Sequence, residues 1–386
     1  MRSSQNPKPS PPASPAPLPY FATAAKGTEG LLRDELRALG IRPVRGDRGG
    51  VHFGGDLSDA FRVCLHSRIT IRVLEHRAAT EVRNSDELYQ FVRALTFDDV
   101  LNPLLSLAVS ASVRSSRLTH SQFVAQRVKD AVVDQQRAIS SRRSDVDLKH
   151  PDVRLHVHLV KDVATIYVDL AGESLHRRSY RLQESPAPLK ETLAAALILW
   201  SGWDRSSPLL DPCCGSGTIA MEAAMIAANW APGLRRQSFG LEHHVRIDGS
   251  WRERFAALRA EADGAIQRER AEIVTGSDID ISAVNSAQQA ARDIGLPLRF
   301  SRRDVLNLAP PATIGTIVTN PPYGIRLQGG ESFVRRMGES LSRLAGFAIV
   351  VLSPDATWRT ALRAQPNREH TLFNGDIECR AYGWNL

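Results

Sequence analysis

The chain has 386 residues, 42% hydrophobic and 24% charged, with a net charge of +7 and a pI near 9.5. That is ample length for two or three domains with a sizeable core, and the composition is that of a globular protein rather than a disordered or fibrous one. The longest apolar run, Leu193–Trp200, is too short for the roughly 20 residues that span a bilayer, and the basic balance favours an anionic partner such as nucleic acid. The four cysteines, Cys64, Cys213, Cys214 and Cys379, form no CxxC pair and no Cys/His cluster with zinc spacing. A reduced, cytoplasmic chain without metal is expected.

Residues 1–19, "MRSSQNPKPSPPASPAPLP", are Pro/Ser-rich, lack a secretory core and predict a disordered tail. From Tyr20 a short apolar run leads into a helix with Leu31, Leu32, Leu36 and Leu39 on one face, stopped at Gly40. "IRPVRG" and "GGVHFGG" predict a hairpin, followed by a helix near Leu57–His66 and the strand "RITIRVLEHR". The order β-α-β-β-α-β is the split ferredoxin-like pattern and covers residues 20–77. In a second α/β unit, residues 78–172, "SDELYQFVRAL" opens with a capping signal and "LSLAVSASVRSS" alternates as a strand. "SQFVAQRVKDAVVDQQRA" places Phe123, Val124, Val128, Val132 and Val133 on one helix face. "VRLHVHLV" and "VATIYVDLAG" pair across a turn at Lys161–Asp162.

Residues 173–386 alternate strand and helix. "PLLD", "AEIVTGSD", "LRFSRRD", "GTIVTN" and "FAIVVLSP" predict a parallel, doubly wound sheet. "HTLFNGDIECRAYGW" adds a terminal hairpin around Asn374–Gly375. The fold class is therefore α/β, a Rossmann-like domain with an antiparallel edge behind two smaller α/β units.

"LLDPCCGSGTIAMEAA" is strand, glycine turn, helix. Gly215 and Gly217 let backbone approach a ligand, and the helix start offers unpaired N–H groups. A phosphate loop would need Gly-Lys-Ser/Thr, which is absent. A dinucleotide site would match Gly215-x-Gly217-x-x-Ala220 but wants an acid about 20 residues on, where "APGLRRQSFG" has none. S-adenosylmethionine suits Asp211 ahead of the turn. Asp278, at the end of the next strand, would accept from ribose hydroxyls, while Asp280 would cap a helix. Asp304, after the third strand, would accept from an adenine amine.

"NPPY" ends the fourth strand on the same crevice edge. An exocyclic base amine is a weak nucleophile because its lone pair is delocalised into the ring. The Asn320 side-chain oxygen and the Pro321 carbonyl could hold its two hydrogens and turn the lone pair towards a methyl donor. Pro321 and Pro322 stiffen the peptide, and Tyr323 offers a stacking ring. Catalysis would rest on positioning and charge complementarity. Cys213 and Cys214 sit inside the glycine turn, under the cofactor, and read as packing residues rather than nucleophiles.

In this order, "QFVAQRVKDAVVDQ", "VDLAGESLHRRSYRLQESPAPLKETLAAALI", "DPCCGSGTIAMEAA", "APGLRRQSFG", "GSDID", "NPPYGIRL" and "NGDIECRAYGW" resemble the THUMP-domain RNA guanine-N2 methyltransferases, specifically the bacterial large-subunit ribosomal RNA group. The resemblance covers nearly everything after residue 20. It implies a THUMP domain for RNA over residues 78–172 and a class I S-adenosylmethionine-dependent domain over 173–386. It also implies that "SPAPLKETL" packs over the cofactor, which makes Pro188, Leu189 and Lys190 candidate contacts; Cys213, in the glycine turn under the cofactor, is a further candidate contact. The departures are small: "DPCC" replaces the more usual apolar residue before cysteine, and Ser179 stands where glycine is common. Ribosomal RNA is favoured over tRNA. An adenine amine, a nicotinamide dehydrogenase and a non-catalytic RNA-binding factor are the alternatives. Arg142, Arg143, Arg177, Arg178, Arg181, Arg235, Arg236 and Arg326 are candidate phosphate contacts. A single catalytic domain and a monomer are expected.

Overall fold

Two seven-stranded sheets organise the chain, and every functional element hangs from one or the other. The computed structural model describes residues 18–178, 180, 189–309, 312–323 and 330–386. Most of the expected tail, the departure at Ser179 and the candidates Arg181, Pro188 and Arg326 lie outside these residues.

The first sheet starts with β1 (Tyr20–Thr23), α1 (Glu29–Ala38), β2 (Val44–Asp47), β3 (Gly50–Phe53), α2 (Leu57–His66) and β4 (Arg72–Glu81). It continues through α3 (Ser85–Arg93), β5 (Leu107–Arg114), α4 (Ser121–Ser140), β6 (Val153–Val160) and β7 (Val163–Asp169). The spatial order is β2-β3-β1-β4-β7-β6-β5. The two amino-terminal α/β units thus share one sheet, because β4 pairs antiparallel with both β1 and β7. Separate runs of sequence do not reveal that join, since it is set by tertiary pairing. The β6–β7 turn falls at Lys161 and Asp162, both at positive φ, which suits the strand twist.

One face of this sheet is covered. Alternate strand residues such as Tyr20, Val51, Val73, Val157 and Ile166 meet Leu32, Leu36, Phe61, Leu88 and Val128 from the helices in one core. Asp56 caps α2 through the Ser58 and Asp59 amides, and Asn84 caps α3. On α4 the buried stripe is Val124, Val128, Ala131, Val132 and Val133. The expected member Phe123 is instead 49% exposed, because it lies about 100° round the helix from Val124.

The second sheet comprises α5 (Glu191–Ser201), β8 (Leu209–Asp211), α6 (Thr218–Ala227), α7 (Gly249–Gly264), β9 (Val274–Asp278), α8 (Ile281–Ile294), β10 (Arg299–Arg302), β11 (Gly315–Thr319), α9 (Gly330–Leu341), β12 (Phe347–Ser353), α10 (Trp358–Ala361), β13 (Arg368–Asn374) and β14 (Ile377–Asn385). Its order is β10-β9-β8-β11-β12-β14-β13, parallel from β10 to β12 and antiparallel at the final hairpin. Asn374 pairs with Ile377, so Gly375 and Asp376 make the two-residue turn and Gly375 supplies the positive φ. All ten residues of α6 are buried, which is why it reads as apolar all round.

The halves dock through α2 and α7. Phe61 stacks on Phe255 with ring centroids 4.3 Å apart and meets Phe239 edge-on at 5.3 Å. Arg246 bridges back to Glu75 at 2.7 Å. No described helix is long and apolar enough to cross a membrane.

Candidate active site

The strand order of the second sheet reverses between β8 and β11, and ligand crevices form at the carboxyl ends of strands at such a switch point. Asp211 ends β8, Asp278 ends β9 and Thr319 ends β11 just before Asn320. The expected aspartates and "NPPY" are therefore on one rim.

Asp211 is buried. Its Oδ1 accepts from the Thr319 hydroxyl at 2.9 Å and from the Cys213 amide at 3.3 Å. Burial pushes its carboxyl up to about 7, against the lowering effect of those two donors. The chain then turns at Gly215 and Gly217, with φ of +50° and +87°. These are left-handed conformations that side chains disfavour. A Cβ on Gly217 would come within 2.9 Å of the Ala287 Cβ, whereas one on Gly215 would meet nothing within 4 Å among the described residues. Gly217 thus packs α6 against α8, while the backbone at Gly215 faces open space.

Asp278 holds that backbone in place. Its Oδ2 accepts the Gly215 amide at 2.9 Å, and its Oδ1 accepts the Asp280 amide at 3.0 Å. A carboxylate has about four acceptor sites, so capacity for ribose hydroxyls remains. Asp280 caps α8 by accepting from the Ser282 amide and hydroxyl, both at 2.8 Å. Asp304 is also a cap: its Oδ1 accepts the Leu306 amide at 2.9 Å.

At the end of β11, Oδ1 of Asn320 is buried and has no hydrogen-bond partner among the described residues. Such an acceptor costs free energy unless a ligand satisfies it. Pro321 is buried, Pro322 is exposed and Tyr323 is half-buried. The Tyr323 hydroxyl accepts from Nδ2 of Asn374 at 2.7 Å, so the terminal hairpin anchors "NPPY". Leu189 is buried and Lys190 exposed at the start of α5. Burial raises the Cys213 and Cys214 thiols, which keeps them protonated and poor nucleophiles.

Two arginines need correction. Arg178 and Arg236 are buried, at 3% and 8% exposure, and cannot lie on a phosphate-binding surface. Arg178 donates to the Leu175 and Arg68 carbonyls, both at 2.6 Å, and lies 3.5 Å from the buried Glu222. Arg236 donates to the carbonyls of Glu173, Ser174 and Arg177. Both tie the connecting segment between the sheets. Arg142, Arg143, Arg177 and Arg235 are exposed, although Arg177 is 3.0 Å from Glu173.

Sequence reasoning misses Thr319 and Phe300, and it marks Asn374 only as a hairpin turn residue. The Phe300 ring packs where Cβ atoms on Gly217 and Gly276 would otherwise sit, at 3.2 Å and 2.6 Å. Only Thr319 left a usable signal, as a hydroxyl immediately before Asn320 at a strand end.

Residues 178–382 match the family of RMKL-like methyltransferase domains, residues 82–169 the THUMP domain and residues 19–74 the RlmL ferredoxin-like domain. The ribosomal RNA large subunit methyltransferase K/L of Syntrophotalea carbinolica is 40% identical over 96% of this chain and 54% of its own. Its namesake from Methylococcus capsulatus is 38% identical over 95% and 51%. The chain thus spans about half the length of the curated relatives it matches. Among solved structures, a methyltransferase complexed with SAH is 29% identical, with a TM-score of 0.86 over 95% of this chain and 98% of that one. A protein of Listeria monocytogenes, named a predicted N6-adenine-specific DNA methylase, is 30% identical, with a TM-score of 0.85 over 96% of each chain.

Proposed function

Because this chain belongs to the RMKL-like methyltransferase family, we propose that it methylates the exocyclic N2 amine of a guanine in ribosomal RNA, with S-adenosylmethionine as donor. The observation that carries this reading is the buried Oδ1 of Asn320, unpartnered among the described residues, on the rim shared with Asp211, Asp278 and the glycine turn.

The residues fit the cofactor. Gly215 leaves room for it, Asp278 has acceptor capacity for ribose, and Asp211 offers a carboxylate to its ammonium group. Bound there, the cofactor supplies an electrophilic methyl group on a sulfonium. Asn320 Oδ1 and the Pro321 carbonyl accept the two amine hydrogens and orient the nitrogen lone pair. Pro321 and Pro322 limit backbone motion, so orientation costs little at the moment of reaction. Tyr323, held by Asn374, presents its ring to the base. Leu189 and Lys190 border the cofactor. A base within a stem must first be flipped out, at a cost of a few kcal/mol. The THUMP match supports RNA as the substrate. The exposed Arg142, Arg143, Arg177 and Arg235 supply phosphate contacts.

The test incubates the purified chain and methyl-labelled cofactor with ribosomal RNA, tRNA and DNA, then digests each pool to nucleosides for mass spectrometry. N2-methylguanosine confined to ribosomal RNA supports the proposal. The same product in tRNA moves the substrate. N6-methyladenine favours the second reading, which the name of the Listeria relative suggests. No transfer to any pool rejects RNA methylation by this chain.

A further inference from the structure

The face of the first sheet opposite its helices is unlike an ordinary solvated face. An antiparallel sheet packed on one side normally alternates apolar-in with polar-out. Here the outward row running β3-β1-β4-β7-β6 reads His52, Phe21, Leu74, Asp169, Arg154. The next row, running β4-β7-β6-β5, reads His76, Tyr167, His156, Ser110. Leu74 and Tyr167 are buried, yet neither joins the helix-covered core. Rings cover the face: Phe21 lies 4.6 Å from His52, and Tyr167 meets His76 edge-on at 5.8 Å.

These rings are held in place. The two nitrogens of His156 lie 3.0 Å and 3.1 Å from the Ser110 and Ser112 hydroxyls. Burial lowers the pKa of His76 and His156, so both are neutral, flat imidazoles at physiological pH.

The charges leave cations free. Asp169 is paired with Arg72, and Asp47 with His52. Arg154, which lies in the ring field, has only the Leu148 carbonyl as a partner among the described residues, with its Nε buried and unsatisfied. Rings beside an unpaired guanidinium match unstacked bases joined by phosphates. They do not match an acidic peptide, which has no bases to stack.

We propose that this sheet face binds a short single-stranded RNA segment, stacking its bases on Phe21, His52 and His76, with the buried Tyr167 supporting His76 from below, and contacting its phosphate through Arg154. The site deepens the RNA-methylation reading and rests on it. It is distinct from the second-sheet crevice, so it holds a part of the RNA other than the reacting base.

The test uses the full chain and fluorescein-labelled decauridylate, followed by anisotropy. Phe21→Ala/His52→Ala should weaken binding at least about tenfold, as expected for two lost stacking platforms. Affinity for S-adenosylhomocysteine, measured by calorimetry, should stay within about twofold, which also shows that the variant is folded. Arg154→Gln should weaken decauridylate binding and flatten its salt dependence by about one phosphate contact. Cross-linking with a 4-thiouridine decamer should map to peptides of β1, β4 or β7. Variants that bind as well as the parent, or cross-links confined to other surfaces, overturn the sheet-face site and leave the methylation reading standing. If the parent chain binds no RNA, single-stranded or structured, both readings fall together. A protein captured on this face in place of RNA also overturns the site.

Discussion

Thr319 donates its hydroxyl hydrogen to Oδ1 of Asp211 across 2.9 Å, joining the carboxyl ends of β11 and β8 where the strand order reverses. Thr319 is fully buried and immediately precedes Asn320, so one hydrogen bond ties the proposed cofactor side of the site to the proposed amine side. Thr319→Val keeps the shape and removes the donor. It should weaken cofactor binding by about tenfold, the equivalent of one hydrogen bond to a charged group. Isothermal calorimetry with S-adenosylhomocysteine checks this; an unchanged affinity would show that Asp211 needs no such support.

The raised carboxyl of Asp211 predicts a pH dependence. The folded chain holds this proton up to about pH 7, whereas the unfolded chain releases it near the ordinary value of 3.8. The folded state therefore binds the proton more tightly, and this group's contribution to stability falls as pH rises between those values. Above about pH 7 the loss is complete, on the order of 4 kcal/mol before relaxation. Cofactor binding should run the other way, strengthening as Asp211 ionises and can pair with an ammonium group. Asp211→Asn should flatten both trends in denaturant titrations and calorimetry from pH 5 to 8; undiminished slopes would assign them to other groups.

Asn320→Ala should reduce methyl transfer by about 10²–10³-fold, the usual cost of deleting one preorganised polar group aimed at the reacting centre. Cofactor affinity should change little, because Oδ1 of Asn320 makes no hydrogen bond to the described residues. Single-turnover rates set beside calorimetric affinities separate the two effects. Retained turnover would remove Asn320 from the chemistry.

Asp278→Ala should cost more in binding than in chemistry. It removes the acceptor for the Gly215 amide as well as the ribose contact, so the glycine turn itself loosens. A loss of cofactor affinity of at least about tenfold is expected. Asp278→Asn, which keeps one oxygen acceptor, should lose less. Equal affinities for the two variants and the parent would reject the ribose role.

These groups were legible in sequence because their chemistry is local. A glycine turn after an apolar strand, an acid at the next strand end and "NPPY" at a third each announce themselves within a few residues. Contacts between remote segments did not. The β4–β7 pairing that fuses the amino-terminal units comes from registers more than 80 residues apart. Burial of arginine was equally hidden: Arg177 and Arg178 are adjacent and chemically identical, yet one is exposed and the other is enclosed by two carbonyls and Glu222. No periodicity separates them, because the environment of Arg178 is assembled by the turn after α2, by α6 and by the connecting segment together.

That contrast yields the last prediction. Arg178→Ala leaves Glu222 buried in α6, where among the described residues the Tyr180 hydroxyl at 3.1 Å is still hydrogen-bonded to it and Arg68 remains as a more distant cation. Removing one partner of a buried pair typically costs about 3–5 kcal/mol, because the remaining charge loses its compensation. Arg178→Ala should therefore lower the denaturation midpoint sharply, whereas Arg142→Ala, at an exposed position, should barely move it. RNA binding should divide the other way. Arg142→Ala should reduce the salt dependence of affinity if Arg142 meets a phosphate, and any folded fraction of Arg178→Ala should keep the parent slope. Guanidinium titrations and salt-series anisotropy on both variants decide the matter. A parent-like midpoint for Arg178→Ala, or a reduced salt slope in its folded fraction, would return Arg178 to the RNA-binding surface.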